Sequence, residues 1–123
     1  MTNLIVSSIA DTDSYKLSHF LQYPTDTKYV SSYIEPRGVS KDLIRMDSVP
    51  EMVFFGLQKF LMDLKPITLG DITEMEEVSS LHGLPFNKEG WKVIWKKYGG
   101  NLPIQIQALD EGIVHGLNVP QVQ

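Results

Sequence analysis

A chain of 123 residues has the size of one domain and can bury a real core. It is 42% hydrophobic and 21% charged with a net charge of −4, an ordinary globular balance without the basic surface that nucleic acid or anionic lipid would attract. With no cysteine, disulfides, thiolate metal sites and cysteine nucleophiles are excluded.

The first residues, MTNLIVSSIADTD, lack the positive charge and continuous apolar core of a signal peptide, and no stretch approaches the roughly 20 apolar residues of a membrane span. A soluble, cytoplasmic chain is the expectation. Leu4 to Ala10 reads as a short buried strand or extended arm. Asp13 or Thr12 is placed to cap a helix from Ser14 to about Leu21, which Tyr23-Pro24 stops because a residue before proline leaves the helical region. TKYVSSYIEPRG alternates, with Tyr29, Ser31, Tyr33 and Glu35 on one face and Val30, Ser32 and Ile34 on the other, a strand ended by Pro36 and Gly38. Gly38 to Pro50 is polar and turn-rich, hence a loop.

In PEMVFFGLQKFLMDL, Val53, Leu57, Phe60, Leu61 and Leu64 recur at helical spacing after Pro50, which predicts a mostly buried helix. TLGDITEMEEVSSL begins with Thr68 and Asp71 three apart, a capping-box variant, and continues as an acidic, exposed helix. In NKEGWKVIWKKYGG, Asn87 caps, Trp91, Ile94, Trp95 and Tyr98 form a core-facing stripe, and Gly99 stops the helix. LPIQIQALDEG alternates as a half-buried strand closed by a turn at Asp110 to Gly112, and IVHGLNVPQVQ starts another extended segment that Pro120 weakens. Strands and helices are interspersed without regular alternation. The expected class is α+β, a small, mainly antiparallel sheet with three or four packed helices.

Generic catalytic motifs are missing: no G-x-G-x-x-G, P-loop, G-x-S-x-G or H-E-x-x-H. His19, His82 and His115 stand far apart and read as structural. The D-x-D of Asp11 and Asp13 could suit a divalent cation, but helix capping by one carboxylate explains the same residues. Tyr15 could pack into the core, which its spacing favours, or offer its ring face to a planar ligand whose N–H groups Asp13 would accept. Arg37, between Pro36 and Gly38, is either a solvated strand-end arginine or a phosphate-binding fork held on a rigid turn.

DSYKLSHFLQYP, SSYIEPRG, VFFGLQKFL, FNKEGW and LPIQIQALDEG occur in the order and approximate spacing of the N-terminal domain of nicotinamide phosphoribosyltransferases. From about Ala10 to about Asn118 the chain resembles that family, its nicotinamide rather than nicotinate branch. The resemblance assigns residues 1–123 to a truncated N-terminal domain of an NAD-salvage enzyme that joins nicotinamide to phosphoribosyl pyrophosphate, giving nicotinamide mononucleotide and pyrophosphate. It implies a homodimer in which Tyr15 stacks on nicotinamide in the partner's site, Asp13 lies beside that site and Arg37 helps hold phosphate. The family's catalytic residues, and its site for phosphoribosyl pyrophosphate with Mg²⁺, lie in an α/β barrel that does not follow Gln123. The resemblance therefore implies substrate-binding residues but no catalytic or metal-binding ones here, and a chain inactive by itself that needs a barrel-containing partner. The alternatives are a non-catalytic module that associates with the full-length enzyme, and a decayed fragment.

Overall fold

A computed structural model describes residues 7–38 and 50–123. The start of the proposed Leu4–Ala10 arm and nearly all of the Gly38–Pro50 loop lie outside the described residues. The chain divides into two compact units, one from Met1–Thr27 with Leu64–Ile104 and one from Lys28–Asp63 with Gln105–Gln123.

In the first unit, Ser7 to Ala10 forms a turn closed by the Ala10 N–H on the Ser7 carbonyl at 2.8 Å, not an extended strand. A 3-10 helix follows over Ser14–Leu21, where a helix is expected. Two longer helices, α2 (Leu69–Leu81) and α3 (Lys88–Tyr98), pack against each other. Both begin on the caps their sequences encode. Thr68 and Asp71 form a reciprocal capping box, and the Asn87 side chain accepts the Gly90 N–H at 3.0 Å. Gly99 ends α3 at φ 63°, the left-handed turn that a residue without Cβ adopts at least cost.

The core of this unit is Ile9, Ile67, Ile72 and Met75, with Leu17, Val78, Phe86, Trp91 and Leu102 packed around it. Two expectations are corrected here. Although rich in acidic residues, α2 is not simply exposed: its Ile72, Met75 and Ser79 are buried. The α3 stripe is only partly core, because Trp91 packs inward while Trp95 and Tyr98 remain 40% exposed.

In the second unit, Glu51–Val53 (β1) pairs antiparallel with Val114–Gly116 (β2), setting Met52 opposite His115. The pairing continues through the Phe54 N–H to the Ile113 carbonyl at 3.0 Å and the Gly112 N–H to the Phe54 carbonyl at 2.8 Å. The predicted long helix therefore does not start at Pro50. Gly56, at φ 99°, separates the strand from α1, which spans only Leu57–Asp63. The first turn of α1 is satisfied from a distance: the Glu111 carboxylate accepts the Gln58 N–H at 2.7 Å. The helix buries none of its residues, contrary to the expectation from its apolar spacing.

The alternating segment around Tyr29–Glu35 is extended but forms only a single bridge, Ile34 to Val122. Val122 also bridges Ala108, so the last three residues lie between two extended segments. The Ile34 N–H donates to the Val122 carbonyl and the Ile34 carbonyl accepts the Gln121 N–H, while Gln107 and Gln123 exchange both main-chain bonds, all at 2.7–2.8 Å. The turn at Asp110–Gly112 occurs as expected, with the Ile113 N–H on the Asp110 carbonyl and Gly112 at φ 92°. His115 is structural: its Nδ1 donates to the Gly116 carbonyl at 2.8 Å, so Nε2 accepts from the Gln121 amide at 2.9 Å. Among the described residues, four helical segments and a two-stranded antiparallel sheet make the chain α+β. None of these helices is long and apolar enough to cross a membrane.

Candidate functional site

The 3-10 helix positions two of the three residues singled out by sequence. Asp13 occupies its N-cap position with extended backbone, yet its side chain makes no capping bond. In the tight i to i+3 geometry the Lys16 N–H donates to the Asp13 main-chain carbonyl at 3.0 Å, so that donor is not open to the side chain. The carboxylate is left over and meets the Lys16 ammonium at 2.9 Å. The hydrogen bond from Lys16, and then its charge, hold the Asp13 carboxyl below the usual carboxylate range. Reciprocally, the Asp13 carboxylate pushes the Lys16 ammonium upward.

Tyr15 is 57% exposed, so burial in the core of this chain is excluded. Its ring is flanked by His19, with centroids 5.5 Å apart and planes inclined at 56°, and by the Lys16 Nζ at 5.8 Å from the ring centroid. The Tyr15 main-chain carbonyl accepts the Ser18 hydroxyl at 2.8 Å, which braces the turn carrying the ring. A carboxylate and an exposed phenol ring on one short helix can accept an N–H and stack on a flat heteroaromatic group.

The other face of the same helix lines a cleft of about 420 Å³, with Lys16, Leu17 and Phe20 on one side and Trp91 and Ile94 of α3 on the other. Its size is that of a small-molecule or side-chain pocket. Arg37 belongs to the second unit, where it is exposed and sits directly after Pro36, whose carbonyl accepts the Asn118 N–H at 2.8 Å. That bond ties the backbone just before Arg37 to Asn118, and no turn forms over residues 35–38. Sequence reasoning overlooked Lys16, although a Lys three residues after an Asp at a helix start was a sufficient signal.

The sequence profile of the nicotinamide phosphoribosyltransferase N-terminal domain matches residues 7–106. The chain belongs to that family. Over 108 residues it is 42% identical to a nicotinamide phosphoribosyltransferase of Xanthomonas campestris pv. campestris (strain 8004), an alignment covering 86% of this chain and 21% of that protein. The chain thus spans about a fifth of the length of this relative. Asp13, Tyr15 and Arg37 all lie inside the matched range.

Proposed function

We propose that this chain acts as the N-terminal portion of a nicotinamide phosphoribosyltransferase. In an assembly with a barrel-containing polypeptide it helps convert nicotinamide and phosphoribosyl pyrophosphate to nicotinamide mononucleotide and pyrophosphate. What carries the proposal is the exposed Tyr15 ring beside the exposed, Lys16-paired Asp13 carboxylate, inside a segment that matches the family from residue 7 to residue 106.

In this proposal the Tyr15 ring stacks on the pyridine ring of nicotinamide, and the Asp13 carboxylate accepts an N–H from its carboxamide. Arg37 offers a planar guanidinium to a phosphate oxygen. These groups bind and orient; the bond exchange at the ribose carbon takes place on residues of the barrel. In this proposal the Mg²⁺ that accompanies phosphoribosyl pyrophosphate is held by the barrel-containing chain. A homodimer in which each Tyr15 serves the neighbouring site is part of the same proposal, as is a cytoplasmic location.

The test is reconstitution. The chain is mixed with a polypeptide carrying the remaining four-fifths of the enzyme, and nicotinamide mononucleotide is measured. Product is expected from the mixture and from neither chain alone. Replacing Tyr15 with Ala is expected to raise the nicotinamide KM about tenfold, the equivalent of one lost aromatic contact. Association without product would favour a non-catalytic module instead, and the absence of both would remove the proposal.

A further inference from the structure

We infer that Lys16 is a positioning residue of this site, drawing the Asp13 carboxylate away from the helix cap and holding it next to the exposed Tyr15 ring. The inference rests on the proposed nicotinamide-binding role of Asp13 and Tyr15.

An aspartate at an N-cap ordinarily turns its carboxylate back onto the helix N–H groups. Here the Lys16 N–H is taken by the Asp13 carbonyl, and the Lys16 ammonium sits 2.9 Å from Asp13 Oδ2. A carboxylate has about four acceptor positions, so engagement of one oxygen leaves the other open to a ligand N–H. The same ammonium lies 5.8 Å from the Tyr15 ring centroid, so one cation acts on both ligand-facing groups.

Lys16 also lines the cleft opposite Trp91 and Ile94, alongside Leu17 and Phe20, while its side chain remains 47% exposed. An exposed ion pair contributes little to stability, so what Lys16 supplies is the direction in which the Asp13 carboxylate is held. Without that charge the carboxylate is free to turn toward the first-turn N–H groups that the i to i+3 ladder leaves unpaired, and the acceptor is withdrawn from the ligand. The charged and titratable groups that act on Asp13 are Lys16 and, more weakly, the Tyr15 side chain.

The experiment compares Lys16→Met, which keeps the stem, and Lys16→Arg, which keeps the charge, in the assembly with the barrel-containing polypeptide. Lys16→Met is expected to raise the nicotinamide KM about three- to tenfold, with kcat and the KM for phosphoribosyl pyrophosphate unchanged. Lys16→Arg is expected to restore it. In Lys16→Met the acid-side fall of kcat/KM for nicotinamide should also begin at higher pH, because Asp13 loses the group that keeps it ionised. A Lys16→Met assembly with unchanged nicotinamide KM and pH profile overturns the inference and leaves the proposed function standing. Equal losses for both substrates together with a lowered Tm overturn it as well, in favour of a purely structural lysine. A wild-type assembly that forms no product removes the function and this inference together.

Discussion

The two units of this chain are held together by different forces. The first has a sealed apolar cluster, in which Ile72 is 1% exposed and Ile9, Ile67 and Met75 are buried with it. The second leaves Tyr29, Tyr33, Phe55, Phe60 and Met62 exposed and is tied mainly by main-chain hydrogen bonds between short strips of backbone. Side-chain burial removes apolar surface from water, whereas a main-chain bond exchanges one partner for another and yields a smaller net gain. The first unit is therefore the rigid platform, and the helix bearing Asp13 and Tyr15 is attached to that platform through Leu17.

The most severe test of the contrast is at Gly100. This glycine sits at φ 84°, and a Cβ there would lie 2.2 Å from the Ile67 carbonyl oxygen and 2.8 Å from its nitrogen, both main-chain atoms. Gly100→Ala combines a disfavoured conformation with a clash that no side chain can relieve. It is expected to cost about 3 kcal/mol or more, enough to unfold the first unit in urea titrations at room temperature.

Next in size is a matched pair of truncations. Ile72→Ala in the first unit is expected to cost about 3 kcal/mol, since it empties a fully buried site. Phe60→Ala in the second removes a ring that is 51% exposed and should cost less than about 1 kcal/mol. Equal losses would break the comparison. Hydrogen exchange offers the same contrast without mutation: the Ile72 amide should be better protected than those of Ile34 and Gln107.

A smaller effect is expected at the start of α2. Thr68→Ala removes the hydroxyl that accepts the Asp71 N–H at 3.2 Å, for about 1 kcal/mol measured by thermal denaturation. The box also has a pH dependence. Burial pushes the Asp71 carboxyl up, but bonds from the Thr68 hydroxyl and N–H, with one from Ser7, outweigh it and leave the group below its ordinary range. A depressed carboxylate stabilises the fold at pH above its unfolded value, and that contribution is lost as pH falls through the folded one. The first unit should thus lose stability below about pH 4, and Asp71→Asn should flatten that slope. The smallest effect belongs to the exposed Lys59–Asp63 pair of α1, where Lys59→Ala is expected to change stability by no more than about 0.5 kcal/mol.

The helices of the first unit were legible from the chain alone because their boundary chemistry is local. Thr68, Asp71, Asn87 and Gly99 each satisfy or terminate backbone groups within three or four residues, so their roles do not depend on what packs nearby. The second unit was misread at Glu51–Val53, where the helical spacing of Val53, Leu57 and Phe60 concealed a strand. Its partner is Val114–Gly116, some sixty residues away, and no local pattern records that pairing. Of the site, the residue types were visible in D-S-Y-K, while the exposure of the Tyr15 ring was not, since spacing favoured its burial.

What the residues determined unaided is the set of helix starts and stops in the first unit, the family relationship and the presence of an aspartate, a tyrosine and an arginine as candidate ligand groups. Packing decided the rest. Which apolar residues became core, which strand paired, and whether Tyr15 faced inward or outward depended on contacts between distant segments. The same holds for the Asp13 carboxylate. It meets the Lys16 ammonium across a tight helical turn whose Lys16 N–H is taken by the Asp13 carbonyl, and only the folded chain brings those two conditions together.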